Sequence, residues 1–270
     1  MASLMESGLT PEQYALFKAV LMAQTEALGF VEEPVVEDLL RKHRCRSVLD
    51  VGCGEGSFLM VLARRLKDVR FVGIDHNALA VEDAVRRIRG RSRRNVEFRT
   101  AFFDPGFERT RYDAVMTRYT LQHSADPQAF VGAVFERLRK KGMFVSVESL
   151  DAYTGCHVRD LVWERFHTSL GAIHRRFGSS EDIGKSLGWL LSAAGFREIQ
   201  VRVVLCSPST VGCERFQAVV RASAEAAAAF CPDLFGADLL EEVKRWLEDR
   251  EGLERKDPYL TTAIANGTRA

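Results

Sequence analysis

The sequence has no long apolar run, no closely paired cysteines and no excess of either charge. None of its 270 residues fall in a stretch reaching the roughly 18 uninterrupted apolar residues of a membrane span, which excludes a helical membrane protein. The six cysteines, at 45, 53, 156, 206, 213 and 231, form no C-x-x-C pair. They read as reduced thiols in a cytoplasmic protein, with no metal site to hold. The opening residues "MASLMESGLTPEQYALF" lack the basic start and apolar core of a secretion signal, so a cytoplasmic location is expected. Without such a signal the Asn266-Gly267-Thr268 sequon carries no weight. A net charge of +1 gives no support for a polyanionic partner, so neither nucleic acid nor membrane is expected. There is no internal repeat and no low-complexity linker.

What is present is a chain that is 46% hydrophobic, long enough for one sizeable core or one core with a cap. Thr10-Pro11-Glu12-Gln13 has the signals of a helix start, with Thr as N-cap, Pro at the first helical position and Gln at the third. Helical spacing continues to about Gly29, and a second helix is expected over 33–43. From Ser47 strands and helices alternate. "SVLDVGC", "RFVGID" (70–75), "NVEFRTAF", "YDAVMTRY" (112–119) and "GMFVSVES" (142–149) read as buried strands. Between them, "SFLMVLARRLKD", a segment over 77–90 closed by Gly90, and a segment opened by Asp126-Pro127 and running to about Lys140 read as helices. Residues 156–177 look helical and aromatic-rich, "SSEDIGKSLGWLLSAAGF" reads as one capped helix ending at Gly195, and 212–251 as two further helices. "REIQVRVVLC" (197–206) and "YLTTAIANG" (259–267) complete seven strands. The fold class is α/β, a mainly parallel Rossmann-like sheet covered on both faces. The expected organisation is an N-terminal helical lid (1–46), a core (47–206 and 256–270) with a helical cap insert at about 151–180, and a helical insertion (207–255) before the last strand.

The glycines of "VLDVGCGEG" carry the first chemical signal. They stand at 52, 54 and 56, G-x-G-x-G, and not in the G-x-G-x-x-G spacing of dinucleotide folds. Glu55 sits inside the turn, where a carboxylate would repel a pyrophosphate seeking helix N-terminal amides. The loop therefore suits a ligand without phosphates, and S-adenosylmethionine fits, with a positive sulfonium and a zwitterionic methionine end. Asp75, 19 residues after Gly56 at the end of the second strand, is placed to accept from ribose hydroxyls. The competing reading is a glycine turn that only lets a strand and helix pack closely.

With "VGID", "YDAVMTRYTLQHSADP" and "KKGMFVSVE" following in order, residues 47–150 resemble the class I S-adenosylmethionine-dependent methyltransferases. The resemblance implies a seven-stranded sheet with its last strand antiparallel. It implies that Asp50, Gly52, Cys53 and Gly54 surround the methionine moiety, that Asp75 is the ribose acid and that His76 lies beside the adenine. The family often has an acid just after the third strand; here "TAFFD" displaces it to Asp104. Phe102 or Phe103 then packs on the adenine, or both are core. Helices such as the N-terminal one often close over the cofactor in this family, which makes Tyr14 either a sulfonium contact or a core residue.

Acid–base candidates sit where open α/β sheets bind ligands, at the carboxyl ends of the strands. After the fourth strand come Arg118 and Gln122 as cofactor contacts, Tyr119 as a substrate contact and His123 as a possible base. After the fifth comes Glu148, a second possible base or a structural ion-pair member. Trp163, His167 and His174 in the aromatic segment either line a substrate pocket or pack in the cap. The basic run 86–99 reads as a helix end with Glu82–Arg86 and Asp83–Arg87 pairs, not as an RNA surface.

The expected function is methyl transfer to a small, partly hydrophobic molecule. "TRYTLQH" looks like methyltransferases of quinones and secondary metabolites, and the absence of an Asn-Pro-Pro-Tyr-like run argues against nucleobase amines. The alternatives are a nicotinamide-dependent oxidoreductase and a non-catalytic module that binds S-adenosylmethionine. A homodimer is possible through the helices at 1–43 or 212–251.

Overall fold

The computed structural model describes residues 10–89 and 95–270, so the expected closure of the second-strand helix by Gly90 lies outside the described residues. In chain order the elements are α1 (Pro11–Lys42), β1 (Ser47–Val51), α2 (Ser57–Arg65), β2 (Arg70–Asp75), α3 (Ala78–Ile88), β3 (Val96–Thr100), β4 (Tyr112–Arg118), α4 (Pro127–Glu136) and β5 (Leu138–Ser149). Then follow β6 (Gly155–Cys156), α5 (Leu161–Arg176), α6 (Leu187–Ala193), β7 (Arg197–Cys206), α7 (Pro208–Val211), α8 (Cys213–Phe230), α9 (Ala237–Glu248), α10 (Arg250–Lys256) and β8 (Pro258–Thr268).

The chain divides into two compact units. One holds residues up to Val31 together with Leu150–Glu181 and Val204–Thr261; the other holds Glu32–Ser149, Asp182–Val203 and Thr262–Ala270. The second unit contains the sheet core. Its strands run β3-β2-β1-β4-β5-β8, parallel as far as β5, with β8 antiparallel to β5. The seven expected strands are all present, and the two-residue β6, which pairs with β8 as β7 does, makes eight among the described residues. The order reverses direction beside β1: β2 and β3 lie to one side, β4 and β5 to the other. This is the switch point at which open α/β sheets leave a crevice beyond the strand ends. The core strands read as continuous apolar runs because helices cover both faces: Val48, Leu49, Ala114, Val115, Met116 and Val145 are fully buried.

Five boundaries differ from expectation. The helical segment expected from residue 156 begins only at Leu161, because Gly155–Cys156 pair with β8 and Asp160 caps α5. The two helices expected at the N-terminus are one, α1, with Pro34 inside it. Proline removes one helical hydrogen bond, but Val36, Leu39 and Leu40 beyond it are buried, and tertiary burial outweighs the lost bond. The start is as expected: Gln13 N–H donates to Thr10 Oγ1 at 3.2 Å and Thr10 N–H to Gln13 Oε1 at 3.0 Å. Helix α4 stops at Glu136, short of Lys140, because Leu138 is fully buried as the partner of Tyr112 and opens β5. Ahead of Gly195, α6 is only seven residues, preceded by a 3-10 turn over Ile183–Ser186 and lacking a side-chain cap. The region 212–251 holds α8, α9 and the start of α10, not two helices.

The first unit has an aromatic centre. Trp163 stacks on Phe166 and on Trp246 at centroid separations of 5.6 and 5.4 Å, and Phe216 and Phe235 join them. Asp160 ties this centre down. Its carboxylate caps α5 at Val162 N–H and Trp163 N–H, and accepts from Trp246 Nε1 at 3.1 Å and Lys256 Nζ at 2.6 Å.

Candidate functional site

Beyond the end of β1 the chain turns through Gly52, Gly54 and Gly56, all with positive φ. At Gly52 (φ 76°) an added Cβ would stand 2.2 Å from Thr120 Oγ1, and at Gly56 (φ 80°) 2.6 Å from the Phe98 ring. The loop is thus pressed against the end of β4 on one side and β3 on the other, which only glycine allows. Gly52→Ala is expected to cost about 1–3 kcal/mol through overpacking and backbone strain, read as a lowered urea midpoint. Adding Thr120→Gly should recover the steric part.

Asp75 fastens the loop from below. Its Oδ2 accepts from Gly54 N–H and its Oδ1 from Asn77 N–H, both at 2.9 Å. Each carboxylate oxygen has a second lone pair, so the acid keeps acceptor capacity for hydroxyl groups. His76 follows, its ring 6.5 Å from that of Phe102, which is 64% exposed. Phe103 is buried between Phe107 and Phe130, at 5.4 and 5.1 Å.

Asp50, at the end of β1, is buried, and its Oδ1 has no hydrogen-bond partner. Burial pushes its carboxyl up to about 7, against the pull of Arg118. Cys53 is likewise pushed well above the usual thiol range by burial, so it is no nucleophile. Glu55 departs from expectation. It is buried and paired with Arg87 at 2.8 Å, and Ser57 Oγ donates to it at 2.7 Å. A neutralised carboxylate does not repel a phosphate, so that part of the case against a dinucleotide fails. The expected Asp83–Arg87 pair is replaced: Asp83 pairs with Arg86 and Arg87 with Glu55.

Past β4, Arg118 lies in a buried network that sequence reasoning missed. Its Nε donates to Glu32 Oε2 at 2.7 Å, and its guanidinium lies over the Phe58 and Tyr119 rings at 4.7 and 4.9 Å. Tyr119 Oη donates to Glu32 Oε1 at 2.5 Å and is 2.8 Å from Thr262 Oγ1. Glu32 is completely buried, and Tyr119 is held at φ 52°. The only sequence signal was a pair of acids, Glu32 and Glu33, inside an apolar helical stretch.

Glu148, also completely buried, accepts from the backbone N–H groups of Leu121 (3.0 Å), Gln122 (3.3 Å) and Thr120 (3.4 Å). It shapes the turn after β4. Burial raises its carboxyl to about 7, opposed by those same hydrogen bonds. In that turn Ser149 Oγ donates to Gln122 Oε1 at 2.7 Å, and Gln122 Nε2 lies 3.2 Å from His123 Nε2. With Oε1 accepting, the amide donates to His123 Nε2 and leaves the ring proton on Nδ1.

The folded chain holds protons on Asp50 and Glu148 more tightly than the unfolded chain, where the ordinary values are 3.8 and 4.5. Their contribution to stability is complete below those values and is lost as pH rises through about 7. The denaturant midpoint of the ligand-free chain should therefore fall between about pH 5 and pH 8 relative to Asp50→Asn, which removes the Asp50 share.

The remaining expected contacts lie in the first unit. Tyr14 is buried in α1. Trp163, His167 and His174 are on α5, where the Trp163 and His167 rings meet at 4.3 Å. Trp163 Nε1 and His167 Nε2 are buried without hydrogen-bond partners. Desolvation lowers His174 and takes His167 down to about 3, so His167 is a neutral imidazole. Among the described residues no cluster of His, Cys, Asp or Glu could hold a metal ion, and no helix is long and apolar enough to cross a membrane.

Residues 42–168 match the methyltransferase-domain family. A tRNA (guanine-N(7)-)-methyltransferase of Rubrobacter xylanophilus is 32% identical over 96 residues, 36% of this chain and 40% of that one. A carboxy-S-adenosyl-L-methionine synthase of Campylobacter jejuni is 27% identical over 120 residues, 43% of this chain and 50% of that one. The chain thus spans half or less of the length of these curated relatives. A solved structure of Haemonchus contortus phosphoethanolamine N-methyltransferase 2 superposes with a TM-score of 0.54 at 15% identity, over 83% of this chain and 49% of that one, and shares the fold. The family match falls on the segment that carries the glycine loop, Asp75 and the turn after β4. Over residues 42–168, a little under half of its length, this chain is similar to methyltransferase domains.

Proposed function

We propose that this chain catalyses transfer of a methyl group from S-adenosylmethionine to a small, partly hydrophobic acceptor such as a quinone-like metabolite or natural product. The observation that carries the cofactor assignment is the buried, unpartnered Oδ1 of Asp50 beside a loop stripped of side chains. An orphaned buried carboxylate oxygen calls for a cationic donor, and the ammonium of a methionine end is one. Bound, the cofactor would supply a methyl group on positive sulfur, open to in-line displacement.

The residues divide the remaining work. Asp50 holds the ammonium. Asp75, already oriented by two backbone donors, takes the ribose hydroxyls. His76 and the exposed ring of Phe102 flank the adenine, while Phe103 serves the core. Arg118 and Tyr119, tied to Glu32, fix the strand end. Glu148 positions the turn through three amides and is a positioning residue, not the base. His123, oriented through Ser149 and Gln122, is the base when the acceptor must lose a proton, its hydroxyl taking the place of Gln122 at Nε2.

A nucleic-acid acceptor is the second reading, favoured by the likeness to the tRNA methyltransferase. Purified chain incubated with methyl-labelled donor and either a metabolite extract or bulk tRNA separates the two. Label in organic-soluble small molecules is the expected result; label confined to tRNA would overturn the first reading.

A further inference from the structure

The carboxyl ends of the core strands carry the acids of the candidate site, and the amino ends carry cations. Ahead of β1 stand Arg44 and Arg46, ahead of β4 stands Arg111, and at the start of β5 stand Arg139, Lys140 and Lys141, all six exposed. The three on β5 sit on a bulge. Between the pairs Tyr112–Leu138 and Ala114–Met143, β4 advances two residues and β5 five. The extra backbone turns tightly: Lys141 has φ 62°, and a Cβ on Gly142 would stand 2.8 Å from Arg139 O. It is tied to the chain just past β8, where Lys141 N–H donates to Arg269 O and Arg269 N–H to Gly142 O, both at 2.8 Å. A bulge re-aims side chains that a regular ladder would turn to the faces of the sheet. Here it displays three consecutive cations.

Two acids lie among these cations, too few to neutralise them. Asp113 accepts from Arg139 Nη1 at 2.7 Å and from the backbone N–H groups of Arg46 and Ser47 at 2.9 Å, so it gathers the starts of β1, β4 and β5. Glu136 is 4.0 Å from Arg111 and 3.7 Å from Arg269. The net charge of +1 therefore hides a sorting of charge along the strands. Among the described residues, no large exposed apolar side chain belongs to 41–46, 109–113 or 137–142. The surface has no wedge to sink into a bilayer and no ring on which an unpaired base could stack. What it has is arginine forks, suited to phosphate oxygens, beside a basic finger that stands out from the strand ends. A grooved polyanion meets such a finger on two sides, whereas a flat one meets only its tip. We infer that the amino end of the sheet docks the paired phosphate strands of a nucleic-acid duplex, recognised by charge and shape and not by base sequence. The candidate site lies at the opposite ends of the same strands, so the bound duplex anchors the chain and is not the methyl acceptor.

Fluorescence anisotropy of labelled duplexes of about 20 base pairs, DNA and RNA in separate titrations, measures the binding. Half-saturation at about 10 μM chain in about 100 mM salt is expected, with log K falling against log salt at a slope of about −4 to −5. Lys140→Ala with Lys141→Ala should weaken binding on the order of tenfold and reduce the slope by about 2. Arg159→Ala with Arg250→Ala removes the same charge from exposed side chains of the first unit and should leave affinity and slope unchanged. All four side chains lie on the surface, so both double variants should keep the wild-type urea midpoint. Binding of either duplex with this pattern supports the proposal, and the tighter one identifies the preferred helix. Absence of binding to both duplexes at about 100 mM salt overturns it. So does equal weakening by the two double variants, or capture of the chain by phosphatidylglycerol vesicles without binding to either duplex.

Discussion

Arg118→Ala is expected to lower the stability of the chain by about 3–5 kcal/mol. The side chain of Glu32 is completely buried and that of Arg118 only 10% exposed, so water cannot replace the lost partner. Removing the guanidinium strands a carboxylate with only two hydroxyl donors, Tyr119 Oη and Thr262 Oγ1. The control is the double change Glu32→Gln with Arg118→Ala, which removes both charges while losing the same packing and should cost far less than Arg118→Ala alone. Equal losses in the single and double variants would mean that packing over Phe58, and not charge, is what Arg118 contributes. Urea denaturation followed by far-ultraviolet circular dichroism reads both. Because Tyr119 sits at φ 52° at the mouth of the site, the same variant should also weaken cofactor binding.

Asp75→Ala is expected to reduce affinity for S-adenosylhomocysteine on the order of 100-fold, about 3 kcal/mol. Two effects add: the ribose acceptors vanish, and Gly54 N–H and Asn77 N–H lose the oxygens that hold the glycine loop in shape. Asp75→Asn keeps one acceptor oxygen and should fall between wild type and Asp75→Ala. If the acid only shaped the loop, Asp75→Asn and Asp75→Ala would lose stability together with affinity. If it also reads the ribose, affinity falls further than stability does. Titration calorimetry alongside urea denaturation separates the two.

The parts of this molecule that were legible in the sequence are those set by local pattern. β1, β2, β4 and β5 are short apolar runs bounded by charge or glycine, and the strand order follows from the family resemblance of the segments between them. The G-x-G-x-G turn and Asp75 were readable because a loop in the left-handed region and an acid at a strand end leave residue-type signatures. Contacts between distant segments were not. Glu32 meets Arg118 across 86 residues, and nothing in either local sequence names the other. Arg87 was assigned to Asp83 one turn away, yet crosses to Glu55 because the buried loop carboxylate needed a cation more than the exposed helix face did. A break was expected between Gly29 and residue 33, but α1 runs through it and through Pro34, because burial of Val36, Leu39 and Leu40 outweighs a single lost hydrogen bond. Leu138 was read into α4 because helical spacing ran on, whereas pairing with Tyr112 draws it into β5. The first unit was the least legible. Its aromatic centre is held by Asp160 reaching Trp246 and Lys256, 86 and 96 residues further on.

The central claim is that the loop from Asp50 to Gly56, fastened by Asp75, is built for S-adenosylmethionine and not for a dinucleotide. With Glu55 neutralised by Arg87, phosphate repulsion no longer separates these ligands, and the orphaned Asp50 oxygen does. The direct test is calorimetric titration of the purified chain with S-adenosylhomocysteine and, separately, with NADH. The account predicts one-to-one, micromolar binding of S-adenosylhomocysteine that Asp50→Ala weakens, and no heat from NADH. Binding of NADH with no response to millimolar S-adenosylhomocysteine would contradict it.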